Sequence, residues 1–331
     1  MAGGQERTLR RRIKTIQSTK KITRAMELIA ASQIVRAQNR IAAAAPYEQA
    51  LSRVADEVAV ELGEHAEGLL GAVDDPKRIL LLALVADRGL CGGYNANVLR
   101  TVDRTVKAGQ PNGIEYKIVT SGKKAPSYLR YRGLTVDHAF TGMSDKPTFE
   151  DAGAIALEVR TPFLDKSVDQ VLVISTRFLS AGTQVVETRQ LLPLPIGTGR
   201  PEESDEQDQK RAQHQQSQQR TQSQSGTQSG DDSTDAASTG GYTEFEPDGV
   251  EILDELVARH VEAAVFQALL EAAASEHTAR QRAMAAATEN ADELTKTLTR
   301  VMNRARQDAI TTEIMEIVGG AEALRQGPEE E

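Results

Sequence analysis

Neither glycine nor proline occurs from Gln5 to Ala45, and neither occurs from Glu251 to Val318. Both stretches are dense in Ala, Leu, Met, Glu, Gln, Arg and Lys, the residues that lose least on entering a helix. At 1.5 Å per residue the second stretch would run about 100 Å as one helix, whereas helices in globular proteins average ~10–14 residues. A compact domain has no such distance to bury a helix across. Both ends therefore read as parts of a rod.

The charge pattern separates them. The formal net charge is −9, yet Arg7, Arg10, Arg11, Arg12, Lys14, Lys20, Lys21, Arg24, Arg36 and Arg40 stand against the single acid Glu27 in residues 7–40. The acids gather in residues 202–254 and at the last three positions. A basic helix meeting an acidic partner is the expected use of such asymmetry. Cys91 is the only cysteine, so no intramolecular disulfide forms and a reducing compartment fits. No apolar run reaches the ~18 residues of a membrane span, and no signal-peptide core follows Met1. The Arg-rich start mimics a transit peptide, but residues 13–41 already carry a helical pattern, so no processing is expected.

Along the first helix Leu9, Ile13, Ile16, Met26, Ile29 and Ile41 mark an apolar stripe, filled by Ala25, Ala30 and Ala37, small residues suited to close approach of another helix. Pro46 is expected to end or kink this helix, with a second helical stretch from Tyr47 to Leu62 stopping at Gly63. From Lys77 the period changes. Residues 78–86 form a continuous apolar run, the mark of a strand buried on both faces. Further strands are predicted at Tyr116–Thr120, Leu134–Phe140, Val171–Thr176 and Gln184–Leu192, alternating with helices at Asn95–Ala108, Lys123–Arg132 and Phe149–Phe163. That order predicts an α/β, Rossmann-like layer with a largely parallel sheet. Residues 197–241 are Gln, Ser, Thr, Gly, Asp and Glu with almost no apolar side chain, a composition that predicts disorder. Asp248 with Glu251 offers a capping box for the last helix, whose stripe is placed on Leu294, Leu298, Val301, Ala305, Ile310, Ile314 and Ile317, with Gly319-Gly320 closing it. The expected units are thus residues 1–62 (helices), 77–196 (α/β base), 197–245 (disordered insertion) and 246–331 (long helix). The two terminal helices would form an antiparallel coiled coil on the base.

No catalytic constellation accompanies this architecture. Gly89, Gly92 and Gly93 lie where a phosphate loop would sit, but neither GxGxxG nor a following Lys-Ser/Thr is present, so a structural turn is the expectation. Ser121-Gly122-Lys123-Lys124 is weaker still. The five histidines (His65, His138, His214, His260 and His277) show no ligand spacing, and no Ser or Thr sits in a Gly-x-Ser-x-Gly elbow. Catalytic residues, cofactor ligands and metal ligands are each expected to be none. A basic DNA-reading helix would continue directly into a zipper; Pro46 interrupts instead, so no nucleic-acid partner is expected. Two rivals stand against a mechanical part: a nucleotide-dependent enzyme, which would bind ligand at Gly89–Asn95, and a free-standing coiled-coil scaffold.

Three segments carry a resemblance. RRIKTIQSTKKITRAMELIAAS (residues 11–32), DRGLCGGYN (87–95) and ARQDAITTEIMEIVGGA (305–321) resemble the N-terminal helix, the first-strand turn and the C-terminal signature of the gamma subunit of F-type ATP synthase. The likeness covers essentially the whole chain except residues 197–241. A free scaffold would not need the 305–321 signature. The resemblance implies a non-catalytic rotor of the bacterial F1Fo enzyme, part of the CF(1) portion in the family's vocabulary. Such a rotor transmits torque between the membrane c-ring and the catalytic alpha3beta3 hexamer, coupling hydrogen ion transport to ATP synthesis. It implies one copy per complex, contacts with the alpha, beta and epsilon subunits and the c-ring, and a peripheral place on the cytoplasmic face of the plasma membrane. The lack of a leader agrees with that location.

Position by position, the resemblance gives Arg306 and Gln307 a contact with a beta-subunit loop, with Thr311 and Glu313 further along the helix. It places Met26 near the beta lever, and Lys20, Lys21 and Arg24 against acidic beta surface. Chloroplast relatives carry a regulatory cysteine pair in an insertion near 197–241. This segment has no Cys, so thiol control does not apply. It remains either a solvated loop hindering reverse rotation or a tolerated passenger, alternatives that deletion of residues 202–240 would separate by comparing synthesis with hydrolysis.

Overall fold

The computed structural model describes residues 2–62, 75–194 and 249–325. The calls on Gly63, on 197–241 and on the Asp248 cap lie outside these residues.

Helix α1 (Ala2–Leu62) opens the chain and α5 (Gly249–Arg325) closes its described part. Between them run β1 (Arg78–Leu84), α2 (Tyr94–Gly109), β2 (Glu115–Ser121), α3 (Lys124–Tyr131), β3 (His138–Phe140), α4 (Phe149–Leu164), β4 (Gln170–Phe178) and β5 (Gln184–Leu192). The sheet order is β3-β2-β1-β4-β5, with β1 to β4 parallel and β5 antiparallel to β4. The expected α/β base and antiparallel helix pair are both present.

The continuous apolar run of β1 is explained by its central place. Leu80, Leu82 and Leu84 point to one face and pack with α4 and with Val257, Val261, Val265 and Leu269 of α5. Ile79, Leu81 and Ala83 point to the other, against Val98, Leu99 and Val102 of α2 and Leu129 of α3. The alternation of strand side chains requires this split, and a sheet with both faces covered needs apolar residues at every position. Helix α4 begins with a capping box. Thr148 Oγ1 accepts from Asp151 N at 3.1 Å, and Asp151 Oδ2 accepts from Thr148 N at 2.8 Å.

Three boundaries differ from expectation. Helix α1 passes through Pro46 without ending. The lost hydrogen bond frees the Ala42 carbonyl, but Pro46 and Ala42 are both exposed, so water satisfies it. Helix α5 passes Gly319 and Gly320 and ends at Arg325; about 1 kcal/mol per glycine is too little to stop a helix already propagating. Strand β3 is three residues long, not seven. Asp137 explains its late start: its carboxylate accepts from Ile118 N at 2.7 Å, taking a rung a neighbouring strand's carbonyl would otherwise hold.

Candidate functional site

The helix pair comes first. Lys20 Nζ meets Asp292 Oδ1 at 2.5 Å, and Thr23 Oγ1 meets Thr288 Oγ1 at 2.8 Å. Advancing along α1 retreats along α5, so the pair is antiparallel. On α1 the positions Leu9, Ile13, Ile16, Lys20, Thr23, Glu27, Ala30, Ile34 and Ala37 are buried or half-buried; on α5 so are Met284, Thr288, Ala291, Thr295, Leu298, Met302, Ala305 and Ala309. Both series alternate steps of three and four, the repeat of a coiled-coil seam. Ala, Thr and Lys hold many of the seam places, and small residues let the backbones approach closely.

On α1 the expected Leu9, Ile13, Ile16, Ala30 and Ala37 lie on the seam, but other large aliphatics face outward, and on α5 this corrects the expected stripe. Ile29 and Ile22 are about three-fifths exposed, and Leu28 and Val35 little less. On α5 Leu294, Val301, Ile310, Ile314, Met315, Ile317 and Val318 are exposed, while only Leu298 and Ala305 of the predicted stripe lie on the seam. Scattered exposed aliphatics are ordinary, but a continuous series on a helix pair marks a surface for a partner.

The register also leaves an overhang. Extended to Ala2, the antiparallel pairing runs out near Ala309, and every residue from Ile310 to Glu322 is exposed. The last 16 residues of α5 thus project as a single helix of about 24 Å.

The predicted contact residues fall into two groups along this shaft. Lys20, Lys21, Arg24 and Met26 sit mid-shaft, opposite the α5 stretch around Met284–Asp292. Lys21 and Arg24 are exposed and Met26 is half-buried. Lys20 already pairs with Asp292, and Arg24 Nη1 pairs with Glu27 Oε1 at 2.7 Å. Arg306 and Gln307 lie exposed at the end of the paired section, and Thr311 and Glu313 on the overhang. The fold brings each group together but sets the groups apart along the axis.

The base holds the shaft through a joint that the sequence did not reveal. The chain turns sharply after β1, with Leu90 at φ 63° and Gly92 at φ 57°, and α2 starts at Tyr94 behind Gly93. A side chain at Gly92 would meet Ala283 and Ala279 of α5, so the turn packs on the shaft. Asp87 holds the turn's neighbours. Its carboxylate accepts from Gly142 N at 2.9 Å, Lys123 N at 3.1 Å and Ser144 N at 3.2 Å. Burial opposes the charge of Asp87, but these backbone donors outweigh it and hold the carboxyl below its ordinary value.

Beneath the turn lies Glu276 of α5, 1% exposed, with Arg280 Nη2 at 2.5 Å. Burial pushes the Glu276 carboxyl up, and the pull of Arg280 and Ser144 does not fully offset it. The same burial and the Glu276 charge raise the Tyr94 hydroxyl and the Cys91 thiol. His277 Nε2 lies 3.2 Å from the Asp145 carbonyl, and burial holds its imidazole below the ordinary value, hence neutral. Further along, Ser275 Oγ donates to Thr176 O at 3.3 Å, and Arg282 donates to the carbonyls of Ala181 and Gly182 in the β4–β5 hairpin. On α1, Arg40 donates to the Pro147 carbonyl.

This joint fills the carboxyl ends of the parallel strands, where open α/β sheets bind ligands. The carboxylates of Asp87 and Glu276 lie close to the Gly89–Asn95 turn and bring negative charge to it. A cleft of about 110 Å³ between α1, α5 and the 145–146 loop is far smaller than the ~300–1,000 Å³ of small-molecule sites. Among the described residues no group of three His, Cys, Asp or Glu side chains is placed to hold a metal ion.

Comparison with known proteins gives one answer. A family profile described as ATP synthase matches residues 5–324. The ATP synthase gamma chain of Parafrankia sp. (strain EAN1pec) is 41% identical over 328 residues, covering 98% of this chain and 99% of that one. The gamma chain of Cutibacterium acnes (strain DSM 16379 / KPA171202) is 42% identical over 330 residues, with 98% of each covered. Among solved structures, a chain of the Euglena gracilis mitochondrial ATP synthase (OSCP/F1/c-ring) is similar at a TM-score of 0.64, with 18% identity and 99% and 97% coverage. A chain of the Tetrahymena thermophila mitochondrial ATP synthase central stalk and c-ring gives a TM-score of 0.54 at 24% identity, covering 80% of this chain and 99% of that one. At these identities the structural likeness concerns the fold alone.

Proposed function

The chain belongs to the ATP synthase gamma-chain family, and from that premise we propose how its geometry serves a rotor. It is a central-stalk subunit of F1Fo ATP synthase and makes no bonds itself. The antiparallel shaft, with many large aliphatics facing outward and its bare tip beyond Ala309, supports this best. A shaft that must turn inside a sleeve needs a surface of non-directional apolar contacts, since these slide without a fixed register to break.

The tip, with Ile310, Ile314, Ile317 and Val318, sits in the central cavity of the alpha–beta hexamer. Arg306, Gln307, Thr311 and Glu313 meet beta-subunit loops there. Lys21 and Arg24, with Met26 beside them, face the acidic beta surface at mid-shaft; long exposed cations make screened contacts that exchange easily. Lys20 shares its charge between that surface and Asp292. The α/β base stands on the c-ring beside the epsilon subunit. One copy serves each complex, and the protein lies peripherally on the cytoplasmic face of the plasma membrane. No described helix is long and apolar enough to cross a membrane.

The test is assembly. Co-expressed with alpha and beta subunits, the chain is expected to co-purify in an assembly that hydrolyses ATP. A hexamer that forms without retaining it would end the rotor reading.

A further inference from the structure

The shaft is a pair of helices, and a base that gripped only one of them would wind the pair instead of turning it. Helix α5 is gripped through its apolar face, where Val257, Val261, Val265 and Leu269 pack on the sheet. Among the described residues, α1 gives that core one buried side chain, Ala55. Apolar contact has no preferred direction and resists separation better than rotation, so one alanine is a weak grip.

A directional grip on α1 comes from the loop between β3 and α4. The Pro147 carbonyl accepts a hydrogen bond from Arg40 Nη2 of α1. In the same loop, the Asp145 carbonyl accepts from His277 Nε2 of α5 at 3.2 Å. Asp145 and Lys146 line one cleft together with Gln33 and Ala37 of α1 and Ala273 of α5. The loop therefore lies over the groove between the two helices and bonds both of them.

This loop is itself fixed to the base. Ser144 N donates to Asp87 Oδ2 at 3.2 Å, and Asp87 N, beyond the end of β1, donates to Ser144 Oγ at 3.0 Å. The Asp145 carboxylate pairs with Arg88 Nη1 at 3.3 Å. Thr148 then anchors the other end as the cap of α4. A guanidinium donor makes a hydrogen bond roughly twice as strong as a neutral one, and Arg40 is half-buried, which limits competition from water. We infer that the 144–147 loop clamps both shaft helices to the base, and that Arg40 is the positioning residue through which α1 turns with it. This rests on the rotor function proposed above.

The test uses the complete ATP synthase in inverted membrane vesicles, reading ATP hydrolysis and ATP-driven proton pumping side by side. Arg40→Met keeps an aliphatic stem and removes the donor. It is expected to leave hydrolysis near wild type and to lower protons pumped per ATP about two-fold or more. Arg40→Lys restores a cationic donor and is expected to recover most of the ratio. An unchanged ratio in Arg40→Met would overturn the assignment. Should that variant fail to assemble, His277→Leu decides, since it cuts the clamp's bond to α5 and leaves Arg40 in place: a lowered ratio supports the clamp and an unchanged one overturns it. ATP-driven pumping by vesicles that lack this chain would instead sink the rotor reading itself.

Discussion

Asp87 is the residue on which the base's upper edge depends, because one carboxylate collects the backbone donors of two loops. Asp87→Asn leaves at most one acceptor oxygen for three donors. The expected loss is about 1–3 kcal/mol, toward the lower figure because water reaches part of the group. The pH dependence has a definite sign. The folded-state value lies below the ordinary 3.8, so the charge stabilises the fold above that value and the contribution disappears as pH falls through the lower, folded one. Urea unfolding should therefore show a gap between wild type and Asp87→Asn that is full at neutral pH and closes only below the ordinary carboxylate range. A gap independent of pH would mean that the carboxylate's charge is not what matters. The glycines of this turn were legible in the sequence as backbone permissiveness, and Gly92 at φ 57° shows why one is needed. Glu276 was not legible. Carboxylates are frequent in this chain, and nothing local distinguishes the one that the fold leaves 1% exposed.

At the scale of elements, the two helices were legible because breakers are absent over tens of residues, and β1 because a strand buried on both faces cannot alternate. The α1 side of the seam was legible in Leu9, Ile13, Ile16, Ala30 and Ala37, whereas the α5 side was misread for a physical reason. Aliphatic residues usually mark the buried stripe of a helix, but on α5 most of them turn outward and Ala, Thr and Met line most of the contact. Periodicity showed that a helix exists; which face meets the partner helix depends on a long-range pairing that no local pattern encodes. The seam makes contrasting predictions for neighbouring residues. Ala30 is 2% exposed, and Ala30→Leu forces the helices apart at a cost of about 1–3 kcal/mol. Ile29 is largely exposed, and Ile29→Ala should change stability by no more than about 0.5 kcal/mol. Thermal unfolding followed by circular dichroism on the isolated chain would separate them. Equal losses would show that the seam has been assigned to the wrong face.

The whole molecule divides its work along one axis: a base bonded to the shaft at Ser275–Arg282, a mid-shaft collar of cations around Lys20–Arg24, and a single-helix tip. The tip contributes least to the fold of the chain itself. Beyond Ala309 α5 has no α1 residue opposite it, and Ile314, Met315, Ile317 and Val318 are all more than half exposed. An isolated helix of that length is marginal in water, so the apolar side chains there can be stabilised only by surfaces from outside the chain. Ending the chain after Ala309 should therefore leave its unfolding free energy within about 0.5 kcal/mol of the full-length value, as for other exposed sites. The same truncation should weaken retention of the chain by the alpha–beta hexamer, read as faster loss of the subunit during gel filtration of the purified assembly. A truncated chain held as firmly as the intact one would place the grip on the mid-shaft collar instead. A truncated chain that unfolds more easily alone would mean that the tip folds back on the shaft, against the exposure seen from Ile310 to Glu322.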